Sequence, residues 1–473
     1  MTWLSSLFGL AERTMDADGS QQTGRPGPHD AGNLNEVAAP PPVYDVSERP
    51  VRLNDYLEHQ PARRAQIDPR DERYEPVGPD DVQSPDENPQ EKHPKPERML
   101  KFLQTTYIVS YLVLFSMLGT LLRVVIECLT FYPGTPVNTS VLWANVGGSM
   151  LMGFLSEDQE LFHFESVRSS LPHHVKNAPS QRAAHIKAHK KTVPLYIGLT
   201  TGFCGSLTSF STFMRDVYLA LSNNPVVPAG SYDEVSLFAS GPASLKSPNG
   251  GFSFMSILAV LFTEIGLSLA GLFLGAHLAV GLSPWTPSLA QVWLRKYVDP
   301  FSAILAWLSW ILVICLVVLL PQDHGATTLW SPNIWRGPFL FSLVFAPIGC
   351  VSRFYLSLKL NSRILGFPLG TFTVNIVGTM VFGMAYSIQH ATVSTSPLTI
   401  GGITGCEVLE GIMDGFCGCL TTVSTWVLEL SDLQRQHAYI YGSVSVAVAL
   451  GFLVVEIGSL QWTRGLATPV CFR

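Results

Sequence analysis

The chain has 473 residues, 47% of them hydrophobic and only 14% charged, with a mean hydropathy of +0.26. A soluble globular protein carries roughly 25% charged residues, and the deficit here is uneven: residues 1–100 hold 19 of the 36 acids and 11 of the 30 basic residues, a net of −8, and the rest of the chain a net of +2. The split excludes one large soluble enzyme and points to a polar tail on a membrane body, and without a dense basic patch interleaved with aromatics no nucleic-acid partner is expected.

In chain order, residues 1–98 are predicted to be a disordered cytosolic tail. Residues 15–98 hold 14 of the 33 prolines, and their apolar residues keep no period, so the segment cannot bury enough surface to offset its ordering entropy. From Phe102 onward the sequence predicts nine apolar spans of about 20 residues each. They fall at 104–130, 138–156, 194–221, 252–281, 301–320, 338–358, 367–389, 400–430 and 438–459. The 301–320 run carries no charge. In the 400–430 run, Glu407, Glu410 and Asp414 are expected at the membrane surface, with the span proper starting near Gly415.

Basic residues set the orientation. Lys92, Lys95, Arg98 and Lys101 precede the first span, and the 157–193 connection carries Arg168, Lys176, Arg182, Lys187, Lys190 and Lys191, whereas 222–251 has only Lys246. The N-terminus is therefore expected in the cytosol and, after nine crossings, the C-terminus outside. The eight cysteines read as small, buried, helix-compatible residues, Cys471 alone lying away from the apolar stretches. His163, His173, His174, His185 and His189 sit in the basic connection without cysteines or paired acids, which argues against zinc.

The body repeats itself. GTLLR ending at Arg123 answers GCVSR ending at Arg353, and WANVGGSMLMGF with Asn145 answers TVNIVGTMVFGM with Asn375, both displaced by 230 residues. GFCGSLTSFSTF from Gly202 answers GFCGCLTTVSTW from Gly415, displaced by 213. Ordered repetition of this kind marks two homologous four-span halves. The extra 301–320 crossing forces the second half to enter from the opposite side, an inverted repeat of the sort that places ion sites near the midplane. Gly, Ser and Thr crowd the third span of each half, so those helices are expected to be interrupted, which is tolerated at membrane depth only under cover of protein or a cavity. The expected fold is thus an all-α membrane protein of nine transmembrane helices: tail 1–98, first repeat 99–281, linker 282–335 with its helix at 301–320, and second repeat 336–473.

G-xxx-R in the first span, VN-xxG in the second and GFCG-x-LTTFSTF in the third resemble the Fluc-type (CrcB-like) fluoride channels, and the fused layout is similar to that of the fungal fluoride exporters. The resemblance implies that Asn145 and Asn375 line a pore, together with Ser211, Ser424, Thr371, Tyr441 and Ser445. It makes Phe210 and Phe213 a pair of ring-edge contacts, replaced in the second half by Val423 and Trp426. Arg123 and Arg353 would match the arginine of the cytosolic vestibule, with only one of them facing that side, and the backbone carbonyls of Gly205, Thr208, Gly418 and Thr421 would hold a structural sodium ion between the repeats. Val141 stands where the second half has Thr371, and no Tyr-xxx-Ser is evident in the fourth span, where Glu264 is an intramembrane acid without an evident counterpart.

The expected function is a passive, fluoride-selective plasma-membrane channel, acting as a monomer in the bilayer with one working and one vestigial pore. It is not expected to be an enzyme, since no converging acid–base or metal set is found, nor nucleotide-driven, since no G-xxxx-GK-[ST] signature is present. The alternatives are a proton-coupled anion transporter using Glu264 or Glu127, and a membrane scaffold presenting the acidic tail.

Overall fold

The computed structural model describes residues 95–132, 137, 139–162, 189–223, 250–320, 336–364, 366–391, 402–467, 469 and 471. The 1–94 part of the tail and most of the 157–193 and 222–251 connections, including four of the five histidines above, lie outside the described residues. Among the described residues the chain is helical, with no strand.

α1 (Lys95–Thr130) and α2 (Leu142–Glu157) are followed by a helix in pieces. α3 starts at Pro194–Ile197, widens into π-helical turns over Gly198–Cys204 and closes with Gly205–Leu207. After two extended residues, Thr208 and Ser209, the chain resumes as α4 (Phe210–Leu221). α5 (Gly250–Leu282), α6 (Gln291–Leu319), α7 (Arg336–Leu360) and α8 (Leu369–Gln389) come next. α9 again runs in pieces, Gly402–Gly411, Ile412–Cys417 and Gly418–Leu420, and is separated by a short break at Thr421 from α10 (Ser424–Asp432). α11 (Arg435–Thr463) ends the helical body. Both breaks fall inside the repeated GFCG motif, where small residues weaken the helix and hydroxyls compete for its backbone groups.

Seven stretches among the described residues are long and apolar enough to cross a membrane: Met99–Thr130, Gly250–Trp285, Gln291–Leu319, Arg336–Leu360, Leu369–Gln389, Gly402–Asp432 and Arg435–Thr463. Two of the nine expected spans are not among them. α2 has 16 residues, about 24 Å of helix at 1.5 Å per residue, and α3–α4 is broken in the middle. Outward-facing apolar side chains confirm the solvent: Phe301, Ile304, Leu308, Ile311 and Leu312 of α6 are each more than half exposed, a face that only hydrocarbon suits. The chain is a multi-pass membrane protein.

α6 lies along α1, held by Tyr111 Oη donating to Asp299 Oδ1 (2.8 Å) and Trp307 Nε1 donating to Ser110 Oγ (3.1 Å). Lys190 is not a free loop charge. Its buried Nζ donates to the carbonyls of Leu155, Ser156 and Asp158 (2.8, 2.6 and 2.7 Å), closing the C-terminus of α2 with a cation that also suits the helix dipole.

Two expectations are corrected here. Cys406 is not merely a small buried residue, because it forms a disulfide with Cys471 (Cα–Cα 5.8 Å), and Cys128 and Cys315 are exposed rather than buried. The acids of the 400–430 run are inside the fold: α9 is helical from Gly402, Glu407 lies 3.8 Å from Arg336 Nη1, and Glu410 accepts from Gln389 Nε2 (2.7 Å). Partners within the bundle offset the cost of burying them.

Candidate functional site

The two helix breaks meet at the centre of the molecule and complete each other. Helix N-termini leave backbone N–H groups without partners. Thr208 Oγ1 accepts from Ser424 N (3.1 Å) at the start of α10, and Thr421 Oγ1 accepts from Ser211 N (3.1 Å) at the start of α4. Each threonine thus caps the helix of the other half. Thr208 Oγ1 also meets Thr422 Oγ1 (3.2 Å) and Ser424 Oγ (3.1 Å), and Ser211 Oγ meets Thr421 Oγ1 (3.1 Å). Ser211 and Ser424, expected to line a pore, sit in this cross-half junction because they occupy the first turns being capped.

The asparagines hold the breaks from the side. Asn145 Oδ1 accepts from Ser209 N and Asn375 Oδ1 from Thr422 N, both at 2.9 Å. Beyond that shared bond the halves differ. Asn375 Nδ2 donates to the Thr422 carbonyl (3.2 Å), whereas Asn145 Nδ2 donates to Glu264 Oε2 (3.0 Å).

One helical turn before Asn375, Thr371 Oγ1 donates to Glu429 Oε1 (2.6 Å) and Tyr441 Oη to Glu429 Oε2 (2.7 Å), and the Thr371 backbone N–H donates to Asn361 Oδ1 (3.0 Å). Ser445, one turn along α11, donates to the Tyr441 carbonyl (2.7 Å). Thr371, Asn375, Tyr441 and Ser445 are all buried; Glu429 of α10 joins Thr371 to Tyr441, and Asn375 and Ser445 lie one turn further along α8 and α11. Sequence reasoning missed Glu429 and Asn361. The signal for Glu429 was present: the 213-residue displacement of the motif carries Asp216 onto it. In the first half Asp216 is instead held by Arg215 (2.8 Å) and by the backbone N–H of Ser140 (3.1 Å).

Phe210 and Phe213 lie edge to face with centroids 5.7 Å apart, and Phe210 meets Trp426 of the other half at 5.3 Å. Trp426 therefore joins the aromatic cluster, whereas Val423 is buried in the same core without a ring to offer. α4, which carries the two phenylalanines, packs on α8 and α11 of the second half: the Arg215 guanidinium lies 5.9 Å from the Phe382 ring centroid, and Tyr218 Oη donates to Gln461 (2.6 Å).

Arg123 and Arg353 do not stand in open vestibules, being 1% and 3% exposed. Each reaches across the molecule. Arg353 Nη1 donates to the carbonyls of Gly205 (2.6 Å) and Thr421 (3.1 Å), and its Nη2 donates to Thr201. Arg123 Nη2 donates to the Asp414 carbonyl, and a Cβ at Gly418 would run into its guanidinium. The sodium ion expected on Gly205, Thr208, Gly418 and Thr421 does not fit this arrangement, because a fixed cation already engages two of the four carbonyls.

These features define a class: a polytopic helical membrane protein whose two halves meet at interrupted helices, with a buried polar track beside aromatic rings. The chain belongs to the CrcB-like protein family, described as Camphor Resistance (CrcB), which matches residues 110–246 and 340–459. It is 41% identical over 464 residues to fluoride export protein 1 of Neurospora crassa, covering 94% of this chain and 84% of that protein. Fluoride export protein 1 of Candida albicans is 32% identical over 378 residues, 80% of this chain and 86% of the relative. The bacterial fluoride-specific ion channel FluC of Chromobacterium violaceum is 34% identical over 135 residues, only 28% of this chain but 99% of its own length, as a fused two-domain arrangement requires. No solved structure matches the chain significantly.

Proposed function

We propose that the protein is a fluoride-selective channel through which the anion leaves the cytosol passively, along a single composite path built from the α8–α11 polar track of the second half and the α4 rings of the first. The observation that carries the reading is the buried run Thr371–Tyr441–Asn375–Ser445 packed against the helix of Phe210 and Phe213, in a chain whose relatives are named for fluoride export. A small, strongly hydrated halide crosses a low-dielectric layer only where donors replace its water. Hydroxyl and carboxamide hydrogens do this without a fixed positive charge that would trap the ion, and ring edges present the positive part of the aromatic quadrupole. An inside-negative potential drives the anion outward by about 2.3 kcal/mol per 100 mV. The central positive charge belongs to Arg123 and Arg353, and no step runs through a sodium ion.

The rest of the reading is a nine-crossing inverted repeat acting as a monomer in the plasma membrane, a channel and not an enzyme. It has the N-terminus in the cytosol and the C-terminus outside. The inverted arrangement is supported by the reciprocal caps and by the equivalent asparagine bonds. The short α2 and the broken α3–α4 are the second and third crossings, covered by the other helices. The Cys406–Cys471 bridge supports the orientation, since disulfides persist on oxidising, extracytosolic faces.

The test is fluoride efflux from liposomes holding only the purified protein. Efflux at a reversal potential that follows the fluoride gradient alone is expected, and one that moves with the proton gradient would overturn the channel reading in favour of proton coupling.

A further inference from the structure

The structure assigns Glu264 a role that rests on the single-path reading above: we propose that its carboxyl group is the plug that closes the first half's own conduction path, by capturing the amide donor of Asn145 that an anion would otherwise use.

Three observations carry this. The first is register. The buried face of α5 runs Glu264, Ser268, Gly271, Leu272, Gly275 and Ala279, and that of α11 runs Tyr441, Ser445, Ala449, Leu453, Ile457 and Gly458. Both open on a polar pair four residues apart, so Glu264–Ser268 stands where the second half has Tyr441–Ser445. Glu264 therefore has a counterpart after all, which a search for Tyr-xxx-Ser could not find.

The second is bonding. The two asparagines are oriented identically by backbone N–H groups at equivalent positions, Ser209 and Thr422. Only in the first half is the remaining donor held by an acid, Glu264 Oε2 at 3.0 Å from Asn145 Nδ2. Charged or neutral, the carboxyl group accepts there, and as a carboxylate it also repels an approaching anion.

The third is space. α2 and α5 touch backbone to backbone beside this pair: a Cβ at Gly271 would lie 2.9 Å from the Val146 carbonyl, and Cβ atoms at Gly153 and Gly275 would run into the carbonyls of Leu272 and Met150. Around the plug, Glu264 Oε1, Ser268 Oγ and Ser149 Oγ are buried without a hydrogen-bond partner. Buried polar atoms ordinarily find partners, so an unpartnered polar lining here is the remnant of a path and is not what a core selected for packing would contain.

The experiment measures fluoride efflux from liposomes for four proteins, with recovery of monodisperse protein checked for each. Asn375→Asp is expected to reduce efflux to the empty-liposome level. Adding Glu264→Ala should then raise it at least tenfold, and adding Asn145→Asp to that pair should abolish the gain, showing that the recovered current uses the first-half asparagine. Glu264→Tyr, which restores the second half's residue, serves where the alanine variant does not fold. If neither Glu264 variant raises efflux over Asn375→Asp alone, or if the gain survives Asn145→Asp, the plug is refuted while the composite path stands. If Asn375→Asp itself conducts, the single-path reading fails and the plug falls with it.

Discussion

Asn145 and Asn375 occupy matching positions, yet the amide of one donates to a carboxyl group and that of the other to a backbone carbonyl. Asn375→Asp replaces the donor with an acceptor in the working path, and we expect fluoride efflux from liposomes to vanish. Asn145→Asp should leave efflux within about twofold of the parent but lower the melting temperature, because it sets two carboxyl groups against each other. Tyr441→Phe, which removes one donor to Glu429, should slow efflux by about 2–10-fold, the cost of one lost hydrogen bond. At this scale the sequence was partly legible. Repetition singled out Asn145 and Asn375, and the family resemblance singled out the phenylalanines, Thr371, Tyr441 and Ser445. Neither gave the partners of Glu429 and Glu264, since these depend on which side chains face them across a helix pair, although the displacement aligns Glu429 with Asp216 and Glu264 stands out as an intramembrane acid.

Thr208 and Thr421 each terminate one helix and cap another in the opposite half, so the interrupted elements are stable only as a pair. Thr208→Val and Thr421→Val should each destabilise the detergent-solubilised protein by about 0.5–2 kcal/mol, the usual cost of a lost N-cap, while the serine variants, which keep the accepting oxygen, should melt near the parent. The same logic applies to Arg353. Substituting alanine frees the carbonyls of Gly205, Thr421 and Thr201, and thermal melting should become higher in sodium than in N-methylglucamine buffer, whereas the parent melts alike in both. Gly-Ser-Thr content announced that these spans would break. It did not announce the reciprocal capping, because hydroxyls at a break have several possible partners and only the meeting of the halves selects one.

For the whole molecule, the apolar runs were enough to anticipate a helical membrane body. The Cys406–Cys471 bridge was not foreseen, since 65 residues separate the cysteines and no local motif joins them. It supplies a direct check on orientation. In intact cells treated with a mild reductant, a membrane-impermeant maleimide should label a variant whose exposed Cys128 and Cys315 are replaced by serine, and adding Cys406→Ser and Cys471→Ser should remove that signal. Labelling only after permeabilisation would put the C-terminus in the cytosol.

Lys190 closes α2, and a few residues away Tyr196 lies edge to face with Phe162, the ring centroids 5.4 Å apart. The described residues on either side of 163–188 are therefore pinned to one another, Asp158 by Lys190 and Phe162 by Tyr196. Because the flanking residues hold each other in place, the two ends of this position present a closed junction that an inserted domain can use. Exchanging residues 165–186 for a compact fluorescent domain whose termini lie close together should leave efflux in liposomes within about twofold of the parent. The same exchange carried through Lys190 should collapse the yield of folded protein, because three carbonyls at the end of α2 would lose the cation that satisfies them.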